Sequence, residues 1–377
     1  MKRMWILAMA MLLIVPAVAT MAAASGHDEH MEDMEHKMYI GGFQYLNGRV
    51  TGEYVSFNVD EKSGEIWNYT VNNVTVFTHI SCEKETVGRT WVAGATFMYM
   101  GESLGMNTWD RKNMSFNVNW KFIHAHDNPV GVLHIVTHGE DEITYELGEG
   151  INATLVNSTI VLSGAVDARL LISNGITNIT DSEIKIKTME NGTTSIIFVE
   201  PTRWHVPEKI KNVVMREIQK GRIGAEMYIG EKNEDFINYS YEMKAHIMHR
   251  EKNHIRLQIS SENSEGKVMI MHVEKNMLQY DAEHRIRVRL DGKNITEANV
   301  DEVMNANEAK YAVIDDGDSV SIMVYIPHFS EHTIDVESEP VDNGEIAYAF
   351  QNPLLIGLLV VILMGAIAAV AWKVKSR

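Results

Sequence analysis

The chain has 377 residues, 45% hydrophobic and 23% charged, enough for two domains with cores of their own. Its formal net charge of −17 excludes a nucleic-acid partner, because a phosphate backbone needs a basic face. A single cysteine, Cys82, excludes an intramolecular disulfide, so it reads as a small buried residue and stability rests on packing.

Residues 1–24, MKRMWILAMAMLLIVPAVATMAAA, place Lys2 and Arg3 before an apolar run that ends in small residues. That is the layout of a secretory signal peptide, with cleavage after Ala19 or after Ala24. Residues 25–38, SGHDEHMEDMEHKM, follow as an acidic leader carrying His27, His30, His36, Met31, Met34 and Met38. Imidazole and thioether together favour copper. Cleavage after Ala24 also puts His27 third from a free amine, a square-planar nitrogen set for Cu(II) or Ni(II), whereas cleavage after Ala19 abolishes it. An acidic spacer that binds nothing is the competing reading.

Residues 39–202 read as a β-rich domain. EYVSFNVD alternates apolar and polar residues, and WNYTVNNVTVFTHI is rich in β-branched and aromatic ones. The runs from Ile151 to Glu200 are broken by turn-prone SG and NG pairs. Short strands without a fixed repeat predict a sandwich. A second β-rich domain spans 203–338. Its first segment has Pro207 at a helical start, Ile210, Val213, Val214 and Ile218 on one face, and Gly221 at the stop, which predicts a helix near 207–220. Strands return from RIGAEMYIG to HTIDVE, interrupted by a short helix near 299–306 with Asn299 and Glu302 at capping-box spacing.

A linker, 339–352, leads to residues 353–372, PLLIGLLVVILMGAIAAVAW, which carry no charge and have the length of a membrane span. The basic tail 373–377 then belongs on the cytoplasmic side. The expected fold is mainly β, with two sandwich-like extracellular domains, the second holding two short helices, plus one C-terminal transmembrane helix.

Nine Asn-x-Ser/Thr sequons, at Asn68, Asn73, Asn113, Asn152, Asn157, Asn178, Asn191, Asn238 and Asn294, all fall between the leader and the apolar segment. In an exported chain such sites read as surface positions for sugar.

No catalytic signature in the sequence is strong enough to name a reaction. No local pattern pairs a serine with a base, and GGFQYLNGR lacks the lysine of a phosphate loop. His328 and His332 flank Glu331 as H-F-S-E-H rather than the H-E-x-x-H of a zinc protease. The richest internal set is FIHAHDNPVGVLHIVTH. A turn at Asp127 to Gly131, with residue 126 opposite 132, sets His124 opposite His134 and brings His126 and His138 to the same face. Such a hairpin suits zinc or copper, against the alternative of hydrogen-bonded strand histidines. In YEMKAHIMHREKNH, strict alternation puts His246 and Met248 on one face and His249 on the other, so these and His254 read as surface residues.

The stretch IPHFSEHTIDV, residues 326–336, resembles the closing strand of archaeal cell-surface modules. That resemblance, with the signal peptide, sequons and single span, implies a membrane-anchored surface protein and carries no activity of its own. The leading expectation is therefore a non-enzymatic structural, adhesive or binding role at the cell membrane, with cell-envelope proteins or glycans as partners. The alternative is surface metal binding, copper above all, through the leader and the histidine hairpin. A surface metallohydrolase is third. The sequence fixes no oligomeric state.

Overall fold

The computed structural model describes residues 42–103, 119–127, 131–156, 159–190, 192–200, 206–240, 243–262 and 264–341. The first sixteen strands begin with β1 (Gln44–Leu46), β2 (Arg49–Thr51), β3 (Val55–Val59), β4 (Ile66–Val71) and β5 (Val74–Cys82). They continue with β6 (Val87–Ala93), β7 (Thr96–Ser103), β8 (Asn119–His126), β9 (Gly131–His138) and β10 (Glu142–Leu147). Next come β11 (Ile151–Val156), β12 (Thr159–Gly164), β13 (Ala168–Ser173), β14 (Gly175–Ile179), β15 (Glu183–Thr188) and β16 (Thr193–Glu200). They form two eight-stranded sheets, ordered β1-β2-β3-β4-β5-β10-β15-β14 and β11-β12-β13-β16-β9-β8-β7-β6.

Helix α1 (Glu208–Gln219) leads into β17 (Ile223–Ile229), β18 (Glu234–Asn238), β19 (Met243–Glu251), β20 (His254–Ser261) and β21 (Glu265–Glu274). Then follow β22 (His284–Leu290), β23 (Lys293–Asn294), β24 (Thr296–Glu297), helix α2 (Val300–Met304), β25 (Lys310–Asp316), β26 (Ser319–His328) and β27 (Glu331–Pro340). These make a six-stranded sheet, β18-β17-β21-β26-β25-β24, and a five-stranded sheet, β19-β20-β27-β22-β23.

Turn chemistry explains several hairpins. Asn47-Gly48, Asn72-Asn73 and Asp291-Gly292 each connect directly paired strand ends with both central residues at positive φ. This geometry matches strand twist, and Asn, Asp and Gly tolerate it best. Helix α1 starts behind Pro207 and stops at Gly221, whose φ of +70° is open to glycine at no steric cost.

Three apolar layers hold the sheets together. The first fills the space between the two eight-stranded sheets, with Phe57, Tyr69 and Phe77 from one side meeting Phe97 and Phe198 from the other. The third does the same for the second pair of sheets through Met269, Met271, Leu257 and Val336. The middle layer joins the two halves. Val132, Leu171, Ile197 and Val199, on the outer face of the β9/β13/β16 sheet, pack with Val214 and Ile218 of α1 and with Tyr228, Ile270 and Met323 of the β17/β21/β26 sheet. The molecule is thus two stacked sandwiches sharing an apolar seam.

The mainly β, sandwich-like expectation agrees with these sheets, but its transmembrane element does not. Among the described residues no helix is long and apolar enough to cross a membrane. The longest, α1, has 12 residues, about 18 Å at the α-helical rise, against a hydrocarbon core of about 30 Å. Residues 353–372, on which the span rested, lie outside the described residues. The fold is therefore corrected to a mainly β chain with no membrane-crossing helix among the described residues. Membrane anchorage, the membrane as a partner, placement at the cell membrane and the anchored surface role built on them are corrected with it.

Candidate metal centre

The site begins with a hairpin. Strands β19 and β20 pair from Met243↔Ser261 to Glu251↔His254, leaving Lys252-Asn253 as a two-residue loop. Asn253 takes a φ of +66°, which its short polar side chain tolerates. Its Oδ1 accepts from the Gln279 amide at 2.9 Å, its amide donates to the Met277 carbonyl at 2.7 Å, and its carbonyl accepts from Ser338 at 3.0 Å. The tip is therefore tied to the body of the sheet. Ile255, Leu257 and Ile259 of β20 enter the core, so His254 and Arg256 face outward.

A bulge decides what joins them. Ile247 pairs with Leu257, but His249 rather than Met248 pairs with Arg256, so Met248 is the extra residue. This moves His249 to the outward face, beside Glu251, which stands across from His254. His249 Nε2 lies 3.3 Å from Glu251 Oε1, and His254 Nδ1 lies 3.7 Å from the same oxygen. One ligand atom from each of His249, Glu251 and His254 falls within 4.8 Å of the others, a cluster able to hold a metal ion. The imidazole of His249, hydrogen-bonded to the carboxylate, holds the Glu251 carboxyl below its ordinary range.

Neighbouring charges are already committed elsewhere. Asp335 Oδ1 accepts from Arg256 Nε at 2.6 Å and from His254 Nε2 at 3.2 Å. Glu337 is paired with Arg289 at 2.8 Å, and Glu339 with Arg287 at 2.7 Å. Among the described ion pairs, the partners of Glu251 are the two imidazoles alone.

Other anticipated ligands are placed differently. His27, His30, Met31, Met34, His36 and Met38 lie outside the described residues. His124 does stand opposite His134, and His126 opposite Val132. That face, however, is enclosed by the second sandwich. His126 Nε2 bonds Asp235 of β18, and His134 Nε2 meets Ser195 Oγ at 2.8 Å. His138 stacks on Trp120 and reaches Thr193 Oγ1 at 3.4 Å. Among the described residues, the set of three ligand atoms that converges is the hairpin tip, and the 124/126/134/138 group does not form one. Burial pushes His134 down to about 4 and His124 well below its ordinary value, the Asn238 backbone pulling both the other way.

Two more groups lack free donors. His332 uses Nδ1 on Asp291 at 2.7 Å and Nε2 on the His328 carbonyl at 2.8 Å. Burial pushes the Cys82 thiol up to about 11, far from a thiolate ligand at neutral pH. Of the sequons, Asn68, Asn73, Asn152, Asn178 and Asn294 are exposed. Asn238 is half-buried, with its side chain bonded to Met243 and Ser240, and Asn113, Asn157 and Asn191 lie outside the described residues.

A family model described as MAST domain matches residues 207–353, a segment that includes the hairpin site. No curated protein matches the chain. Among solved structures, a heparinase III is 9% identical over 59% of this chain and 38% of that one, with a TM-score of 0.28. The N-terminal domain of a Streptococcus gordonii adhesin is 7% identical over 81% of this chain and 92% of that one, with a TM-score of 0.17. At these scores neither likeness defines a fold family. The resemblance to archaeal single-span surface proteins is corrected here, because no helix among the described residues is long and apolar enough to cross a membrane; the IPHFSEHTIDV stretch supplies the end of β26 and most of β27, an interior strand between β20 and β22.

Proposed function

We propose that this protein binds a borderline divalent transition metal, zinc or copper, at the tip of the β19–β20 hairpin. The observation that carries this reading is the convergence of His249 Nε2, His254 Nδ1 and Glu251 Oε1, with separations of 3.3 and 3.7 Å to the shared carboxylate oxygen. Tetrahedral zinc with bonds of about 2.0–2.1 Å has ligand–ligand edges of about 3.3 Å, so little movement is needed. Calcium and magnesium prefer sets made wholly of oxygen, which two imidazoles disfavour. Three protein ligands leave a coordination position for water or a fourth donor. Titration of the full chain with Zn(II) and Cu(II) by calorimetry tests the reading. About one equivalent bound by the wild type, and none by a His249→Ala/His254→Ala variant, is expected. Binding unchanged in that variant sinks it.

A further inference from the structure

We infer that Asp335 is a positioning residue for this site, fixing His254 with its proton on Nε2 and its Nδ1 lone pair toward the metal. The inference rests on the metal-binding reading above. Asp335 sits on β27 opposite Arg256, on the same outward face as the site, with its side chain only 6% exposed. Its Oδ1 is 3.2 Å from His254 Nε2. A carboxylate can only accept there, so the imidazole nitrogen must donate. In a neutral ring the other nitrogen is then the acceptor, and His254 Nδ1 is the atom that faces Glu251 Oε1 at 3.7 Å. This is the carboxylate–histidine–metal arrangement, in which an outer acid sets the tautomer and raises the basicity of the ligand.

The arginines give the arrangement its selectivity. Arg256 Nε binds the same Asp335 oxygen at 2.6 Å, which keeps that carboxylate on the β20–β27 seam as an outer group. Glu337, 3.8 Å from His254 Nε2, is held by Arg289 in the same way. Glu251, with no guanidinium among its described ion-pair partners, is left as the inner carboxylate. The geometry therefore assigns a mixed set: Nε2 of His249, Nδ1 of His254 and a carboxylate oxygen of Glu251.

The test uses the full chain with histidine-selective ¹⁵N labelling, the His254 signals being those lost in His254→Gln. Long-range ¹H–¹⁵N correlation of the metal-free protein should show His254 protonated at Nε2. In Asp335→Ala the tautomers should mix and zinc affinity should fall roughly 10–100-fold, the usual effect of removing an outer-shell partner. Asp335→Asn, which keeps an acceptor oxygen, should preserve the Nε2–H tautomer and recover part of the affinity. A wild-type His254 protonated at Nδ1, or zinc binding unchanged in Asp335→Ala, overturns the assignment while leaving metal binding intact. A wild type that takes up no zinc sinks the metal reading itself, and the assignment with it.

Discussion

His249 and Glu251 share the outer face of β19, 3.3 Å apart, although Ala245 and Ile247 earlier on the strand pack toward the core. Regular alternation would carry His249 inward with them. The unpaired Met248 absorbs the difference. Deleting Met248 should therefore regularise the strand while leaving Ile247 inward and His249 outward. Zinc affinity of this deletion variant is expected within about threefold of wild type, since the ligands keep their face. Loss of binding in a folded deletion variant would show that the bulge does more than set the phase.

Metal binding should appear as stability. Zinc at one hundred times its dissociation constant should raise the unfolding free energy by about 2.7 kcal/mol, because it binds the folded hairpin and not the separated ligands. Chemical denaturation with and without zinc measures this. The increment should vanish in Glu251→Gln/His254→Ala, and its persistence would place the metal elsewhere.

The buried histidines predict acid sensitivity. His124 and His134 have folded-state values below the ordinary one, so the fold favours their neutral forms. Their contribution is complete above pH 6.5 and is lost as pH falls toward the folded values. For His134, pushed down to about 4, the window runs from about pH 6.5 to 4 and the full effect is about 3 kcal/mol. Urea midpoints at pH 7.5, 5.5 and 4.5 should fall less steeply in His134→Gln than in wild type. Equal slopes would refute the assignment.

Phe198 anchors the first sandwich, with T-shaped contacts to Tyr69 and Phe77 at ring-centroid distances of 5.5 Å each. Phe198→Ala should cost about 3–5 kcal/mol, the usual range for a buried aromatic truncation. A denaturant midpoint close to that of wild type would mean that the core refills the space.

Sequence patterning made the sheets legible because alternation and Asn-Gly or Asp-Gly turns are local signals. Helix α1 was legible for the same reason, since Ile210, Val213, Val214 and Ile218 recur on one face. The histidine hairpin's register also followed locally, with His124 opposite His134. Its surroundings did not, because the covering residues Asp235 and Asn238 lie about a hundred positions away on β18. The hairpin tip was missed for a different reason. A one-residue bulge leaves no mark in the residue types, and counting by twos sends His249 to the wrong face. The Lys252-Asn253 turn was the readable clue, since it alone sets Glu251 opposite His254.

The seam between the sandwiches has a consequence for cutting the chain. The MAST match begins at residue 207, so a fragment started there would leave behind Val132, Leu171, Ile197 and Val199. Tyr228, Ile270, Met323 and the apolar side of α1 would meet water together. Such an excised half would expose a contiguous apolar face, the kind of patch that promotes self-association. The segment matched as a MAST domain thus leaves out part of the apolar seam on which it packs.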